Sequence, residues 1–302
     1  MSEFITHIAV MEDCAHLAII SDKITTPFKK VLKNNIEAAR LGSASRGNHV
    51  FSGPLLEKYR DAWDTRKPED RLEEKLAFVL GWVAHRAADT YFKPRYKIID
   101  KDRSKRPQDI RIYHDFITFD ETYKKGTLPP LSPSTMDSHL ESHPAASAVD
   151  TEMVEPLFGS MYQNAFIQLK TYNQKDEGLE TWFKKTFDAH QDYYVDIQRY
   201  AKGYAHPDPK KVKQFFEEPN FYNPKDPIIQ LVRALQDGKK SDIDLEEAAT
   251  LNEQSQYAES LQKCYRFFKS ASNLFTEDIT RKQFELQFEN DYYVRFDGIL
   301  KK

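Results

Sequence analysis

Hydrophobic residues recur every three or four positions along most of this chain, and alternating apolar and polar runs are almost absent. This spacing is typical of α-helices that bury one face, whereas β-strands alternate with a period of two. Lys, Glu, Gln, Leu and Ala are frequent and only 10 residues are Gly, which also favours helices. The sequence therefore predicts an all-α protein built as a multi-helix bundle.

Proline and glycine set the predicted ends of the helices, since proline is tolerated in a first helical turn and glycine commonly follows a last one. In the N-terminal part, helices are predicted over residues 3–20, 26–42, 55–63, 68–92 and 107–123. Pro94 is predicted to stop the fourth of these helices. The small polar segment 42–49 is predicted to be a loop that can approach a ligand closely.

The longest irregular segment is predicted at residues 127–149, where prolines and polar residues interrupt every helical period. It separates a helical region over 1–126, which carries the candidate metal site, from a helical region over 150–302, which we expect to pack on the first. Helices in the second region are predicted at residues 150–173, 177–203, 226–236, 244–274 and 277–300. No motif in the second region indicates a function.

The composition narrows the classes of protein to which the chain could belong. The 44 Lys and Arg residues nearly balance the 47 Asp and Glu residues, so no basic surface for nucleic acid is expected. No apolar stretch is long enough to cross a bilayer, and the first residues lack the basic and apolar regions of a secretory signal. Both cysteines lie in apolar helical patterns, which indicates a reduced compartment, so the expected location is cytoplasmic.

The strongest chemical pattern is the pair His85 and Asp89, four residues apart in one predicted helix. Side chains at this spacing project from the same face, so the imidazole and the carboxylate could bind one divalent ion such as zinc. His7 and His114 lie in two other predicted helices, and helical bundles build metal sites from side chains that converge in this way. The same residues are equally compatible with buried histidines that are paired for structural reasons, so spacing alone leaves both interpretations open.

The order of these histidine and aspartate motifs along the chain resembles that in the zinc-dependent phospholipase C family. The members of this family are helical metal hydrolases related to single-strand-specific nucleases. The resemblance covers about residues 4–125 and rests on Thr6-His7, Leu41-Gly42-Ser43, Gly81-x3-His85-x3-Asp89-x2-Phe92-x-Pro94 and His114. It implies a helical fold with a cluster of up to three zinc ions that activates water against a phosphodiester. It also implies that His7, His85, Asp89 and His114 are metal ligands.

The chain departs from the family pattern at several metal-binding positions. After Leu-Gly-Ser the family usually has Pro-Asp, whose Asp is a ligand and a candidate base, whereas this chain continues to Asn48-His49. Lys93 stands where the family has a histidine, and Thr118 stands where it has a glutamate. Because only four of the family's donors remain, we expect one zinc or other divalent ion, or a site that has lost its metal.

Other polar residues near these positions have two interpretations. Asn48 and His49 could compensate as donors from the predicted loop, and Lys93 could replace a metal as a fixed positive charge that faces phosphate. The simpler interpretation of Lys93 is a solvated cation at a helix end, where the helix dipole favours it.

Two hypotheses about function follow, and neither assigns a catalytic residue. The first is a metal-dependent hydrolase of the phospholipase C type, acting on a small phosphate ester or a lipid head group, in which the metal polarises a phosphate oxygen and activates water. The second is a non-catalytic helical scaffold or binding protein that kept the fold and lost the catalytic metal cluster. The missing Asp and Glu favour the second hypothesis, and turnover of a generic phosphodiester in added zinc would separate the two.

Overall fold

The structure is a computed structural model that describes residues 4–44, 49–99, 118, 121–122, 221–252 and 254–288. Of these residues, 75% are helical and none lies in a β-strand, so the prediction of an all-α protein is confirmed. Among the helices in these ranges, none is both long enough and apolar enough to span a bilayer.

The helices are numbered in chain order over the described residues. The N-terminal part contains α1 (Phe4–Ile20), α2 (Thr26–Asn34), α3 (Ile36–Ala44), α4 (His49–Ala62), a 3-10 turn (Pro68–Asp70) and α5 (Leu72–Ile99). The C-terminal part contains α6 (Pro227–Gln236), α7 (Leu245–Ala248), α8 (Gln256–Phe275) and α9 over residues 281–288. Thr118 and residues 121–122 are also helical.

Helix α5 lies at the centre of the bundle and packs against α1, α2, α3, α4 and α8. Its buried residues surround the helix axis instead of forming one stripe, as expected of a helix enclosed by neighbours. These apolar residues are Leu76, Ala77, Phe78, Val79, Leu80, Trp82, Val83, Ala84, Ala87, Ala88, Tyr91 and Phe92. His85 and Asp89 belong to the same buried stretch, so both polar side chains lie within the core of the protein.

Helix α1 is held by elements from both ends of the chain. It contacts α3 and α5 from the N-terminal part and α6 and α8 from the C-terminal part, and their apolar side chains form one hydrophobic core. Asp13 in the middle of α1 accepts hydrogen bonds from Arg233 of α6 and Tyr257 of α8. These contacts fix the axis of α1 and with it the position of His7 near the N-terminal end.

Between α1 and α4, the sequence predicted a single helix followed by a loop, and the structure differs from this prediction. The predicted helix 26–42 is two helices, because the backbone of Asn35 (φ −128°, ψ 40°) leaves the helical conformation. Helix α3 then continues through Gly42, and α4 begins at His49, so the predicted loop over 42–49 is wrong at both ends. Gly42 here allows two helices to approach closely, which needs a small residue but not an irregular backbone.

The ends of α4 and α5 also differ from those predicted from proline. Helix α5 begins at Leu72, after Arg71 in a left-handed conformation (φ 50°), and it continues past Pro94 to Ile99. Helix α4 begins before the predicted residue 55 and includes Pro54. Proline removes one backbone hydrogen bond and disfavours the helical conformation of the residue before it, but buried turns on the same helix can outweigh that cost.

In the C-terminal part, α6 confirms the predicted helix 226–236 to within one residue. The predicted helix 244–274 is divided into α7 and α8, because Ser255 caps a new helix by accepting a hydrogen bond from the backbone N–H of Ala258. Helix α9 occupies part of the predicted helix 277–300. The predicted helices 150–173 and 177–203, the irregular segment 127–149 and most of the predicted helix 107–123 lie outside the described residues.

Candidate metal centre

Three of the four predicted metal ligands meet in the core: His7 from α1, and His85 and Asp89 from α5. The Nε2 atom of His7 lies 3.5 Å from Oδ1 of Asp89, and Nε2 of His85 lies 3.3 Å from Oδ2 of the same carboxylate. One ligand atom from each residue lies within 4.8 Å of the other two, so the group could hold a metal ion. Within the part of the chain that the structure describes, no other three His, Cys, Asp or Glu side chains do so.

The two helices position these side chains in different ways. His85 and Asp89 are one helical turn apart on α5, so their side chains project from one face. His7 approaches that face from α1, and its ring stacks on the ring of His85 with 4.3 Å between centroids and 29° between planes. All three residues are buried, with 1% of His7, 8% of His85 and 3% of Asp89 exposed. Burial at this depth makes the partners of a carboxylate energetically important.

The backbone of α3 fixes the orientation of the His85 ring. The Nδ1 atom of His85 lies 2.8 Å from the carbonyl oxygen of Ser43. A carbonyl oxygen only accepts hydrogen bonds, so Nδ1 must carry the proton that is donated. When the ring is neutral, Nε2 therefore has a free lone pair, and it faces Asp89. Metal-binding histidines in proteins are commonly oriented by a hydrogen bond of this kind.

Thr118 contacts Thr6, which precedes the ligand residue His7 in sequence. Its hydroxyl is fully buried and lies 3.0 Å from the hydroxyl of Thr6, the residue before His7. The resemblance to the phospholipase C family implies a metal-binding glutamate at this position. In this chain the position carries a neutral hydroxyl whose observed partner is another hydroxyl.

The remaining predicted site residues are not placed by the structure. His114 and Asn48 lie outside the described residues. His49 begins α4 and Lys93 lies in α5 one turn after Asp89, but their side chains are outside the described structure. The proposed donor roles of Asn48 and His49 and the phosphate-binding role of Lys93 therefore stay predictions.

The sequence did not identify Ser43 or Thr6 as residues that contribute to the site. Thr6 and Ser43 belong to the motifs that carry the resemblance but were assigned no role, and Ser43 acts through a main-chain carbonyl, which every residue type possesses. The packing of α3 on α5 brings this carbonyl to the ring of His85, so the local sequence carried no signal for the contact.

Comparison of the chain with protein-family models, with curated proteins and with solved structures found no match. Function is therefore inferred from the geometry of the three buried side chains and from the residues that surround them.

Proposed function

We propose that the chain binds one zinc ion between His7, His85 and Asp89 and that the ion serves the hydrolysis of a phosphate ester. The observation that carries the proposal is the spacing of the donors. The two imidazole nitrogens lie 3.5 Å and 3.3 Å from the oxygens of Asp89, which is longer than a good hydrogen bond. Two ligand atoms bound tetrahedrally to zinc at about 2.0–2.1 Å are separated by about 3.3–3.4 Å. Each imidazole faces a different oxygen of Asp89 at a separation typical of two zinc ligands, and the three ligand atoms lie within 4.8 Å of one another.

The kinds of donor also support zinc. Two imidazoles and one carboxylate form a mixed nitrogen and oxygen set, which zinc accepts readily. Catalytic zinc sites commonly have three protein ligands and keep a fourth position for water or substrate. If His114 supplies a fourth donor, as the family resemblance implies, the site is closer to a structural one.

The chemistry that a zinc ion would supply in this position is the polarisation of a phosphate oxygen and the activation of water. The side chains would hold the ion and set its charge. Asp89 contributes one negative charge and the neutral histidines contribute none, so a divalent ion in the site keeps a net positive charge. A positive centre of this kind favours a phosphate ester, either a small one or a lipid head group.

A second candidate function, a non-catalytic scaffold, is favoured by the burial of the site. His85 is the most exposed of the three residues at 8%, which leaves little room for substrate to reach the ion. Thr118 contacts Thr6 at a position where the family has a ligand, which removes one carboxylate from the centre. A buried three-residue centre with few carboxylates could stabilise a helical scaffold without catalysis.

Zinc stoichiometry tests the binding proposal. Protein stripped with chelator, soaked in zinc and desalted should contain about one zinc per chain in elemental analysis. His7→Asn should abolish this binding. His16→Asn is the matched control, because His16 lies on the same helix outside the group, and it should leave the stoichiometry unchanged. Zinc-free wild type after soaking, or equal zinc contents in the two variants, would contradict the proposal.

Turnover separates the two candidate functions. Zinc-loaded wild type should hydrolyse a chromogenic phosphodiester or phosphomonoester, and Asp89→Asn should remove the activity together with the metal. Zinc-loaded protein that turns over neither substrate would favour the scaffold.

A further inference from the structure

Helices α3 and α5 cross with their backbones in direct contact next to the metal centre. The crossing is formed by Gly42 of α3 and Gly81 of α5. A Cβ atom on Gly42 would lie 2.1 Å from the carbonyl oxygen of Phe78, and one on Gly81 would lie 2.1 Å from the carbonyl oxygen of Ala39. Both obstacles are backbone atoms, which cannot rotate away as a side chain can. Only glycine fits either position without separating the helices.

The crossing brings a backbone carbonyl to His85. Ser43 follows Gly42 in α3, and its backbone lies beside Gly81, where an added Cβ would lie 2.7 Å from the Ser43 nitrogen. His85 follows Gly81 by one turn on α5, so it projects from the same face as the glycine contact. The result is the 2.8 Å hydrogen bond from Nδ1 of His85 to the carbonyl oxygen of Ser43.

We propose that Gly42 and Gly81 are positioning residues of the metal centre. They let α3 approach closely enough for the Ser43 carbonyl to hold His85 with its proton on Nδ1 and with Nε2 directed at Asp89. The part of this inference that concerns metal affinity rests on the proposed function, whereas the part that concerns the ring of His85 does not. A side chain at either glycine would move the carbonyl away from Nδ1 and release the ring.

Imidazole ¹⁵N spectra of metal-free wild type test the orientation without any substitution at the glycines. In the neutral form of the ring, His85 should be protonated on Nδ1 and not on Nε2. The signal is assigned by its loss in His85→Asn. A neutral ring protonated on Nε2, or one that averages both forms, would overturn the inference. This result does not depend on whether the protein binds zinc.

Zinc affinity of glycine variants tests the positioning. Gly81→Ala and Gly42→Ala should weaken zinc binding by about 10- to 100-fold, the usual effect of losing a partner that orients a ligand. Gly53→Ala is the matched control, because Gly53 also lies within a helix but its nearest obstacle is the flexible side chain of Arg281 at 3.3 Å. Its zinc affinity should equal that of wild type.

The same variants are loaded with Co²⁺, because the visible spectrum of the cobalt form reports coordination geometry and not stability. A folded Gly81→Ala protein with wild-type affinity and spectrum would overturn the inference. If Gly81→Ala and Gly42→Ala do not fold, the ¹⁵N spectrum of wild type decides the question. If wild type itself does not bind zinc, the proposed function is wrong. The orientation of His85 is then tested by the ¹⁵N spectrum of wild type alone.

Discussion

Helix α1 contributes to two buried polar clusters that are built differently. In the first cluster, the carboxylate of Asp13 is surrounded by donors from α6 and α8. Arg233 donates to both oxygens at 3.1 Å and 2.8 Å, Gln236 donates at 2.9 Å and Tyr257 donates at 2.7 Å. Four hydrogen bonds of normal length occupy both oxygens of the carboxylate. Burial alone would lower the pKa of the Arg233 guanidinium, but Asp13 raises it above its usual range, so the guanidinium stays charged.

In the second cluster, the carboxylate of Asp89 lies 3.3 Å and 3.5 Å from the nitrogens of His85 and His7. These separations are longer than those of strong hydrogen bonds, and the three residues form the group that could hold a metal ion. The comparison shows that two similar buried carboxylates can have different purposes. Asp13 joins three helices directly, whereas Asp89 belongs to the group that we propose to bind zinc. If their geometry reflects this difference, zinc should change the stability of the Asp89 cluster and leave that of the Asp13 cluster unchanged.

The largest effect is expected for Asp13→Asn. The substitution removes the buried carboxylate from the guanidinium of Arg233, whose side chain is 21% exposed, and breaking such a pair costs up to about 3–5 kcal/mol. The loss should be the same in zinc and in chelator, as measured by urea unfolding. Asp61→Asn is the control, because Asp61 pairs with Arg60 while 67% of the Asp61 side chain is exposed, and it should cost less than about 1 kcal/mol. A loss that appears only in zinc would mean that Asp13 also affects the metal.

Asp89→Asn is expected to have a comparable effect only when zinc is present. At a free zinc concentration of one hundred to one thousand times Kd, the metal should stabilise wild type by about 3–4 kcal/mol, and the variant should lose this increment. In chelator, the two proteins should differ much less, because Asn can still hydrogen bond to the imidazoles. Thermal or urea unfolding of wild type and Asp89→Asn, each with zinc and with chelator, measures these differences in stability. Equal destabilisation in zinc and in chelator would indicate a structural cluster like that of Asp13.

The sequence predicted the second cluster better than the first, for a physical reason. His85 and Asp89 are one turn apart, so their common face follows from helical geometry alone. Asp13 and Arg233 are 220 residues apart, and only the packed fold shows that they meet. Two adjacent acids, Glu12 and Asp13, stand in the middle of a mostly apolar helix. An acid in such a helix is rarely buried without a partner, and this was the available signal for one.

The helical fold was predictable from periodicity, whereas helix breaks and helix contacts were not. The predicted helices 3–20 and 226–236 agree closely with α1 and α6. Asn35 and Ser255 interrupt predicted helices because caps and local backbone conformations compete with periodicity. Gly42 was interpreted as a loop residue, although its small size serves a helix crossing. Sequence alone does not distinguish these two uses of glycine.

Alkaline pH should affect the first cluster. Burial first, and then the charge of Asp13, raise the pKa of the Tyr257 phenol well above its usual value. Above about pH 10, the unfolded chain releases this proton while the folded protein keeps it, so the free energy of unfolding falls as pH rises. Tyr257→Phe should therefore reduce the slope by about 1.4 kcal/mol per pH unit above pH 10. At neutral pH it should cost about 1.5–3 kcal/mol through the lost hydrogen bond to a carboxylate.

Urea unfolding from pH 8 to 11 measures both effects of Tyr257→Phe. Asp89→Asn serves as the control from the second cluster, and its slope above pH 10 should match that of wild type. A Tyr257→Phe protein with an unchanged alkaline slope would mean that this phenol titrates at its ordinary pKa in the folded protein.

The smallest effects are expected for two threonines that lie beside the two clusters. The hydroxyl of Thr118 lies 3.0 Å from that of Thr6 next to His7, and the hydroxyl of Thr122 accepts a hydrogen bond of 3.3 Å from Arg233. Thr118→Val should cost about 1 kcal/mol, because it leaves the buried hydroxyl of Thr6 without this partner. Thr122→Val should cost less, since its bond is long and Arg233 has stronger acceptors. Urea unfolding of the two variants measures both losses.

Elemental analysis should show unchanged zinc stoichiometry in both variants. Loss of zinc in Thr118→Val alone would mean that its hydroxyl supports the metal centre, and loss in both would mean that the packing of this segment, not one hydroxyl, governs the site.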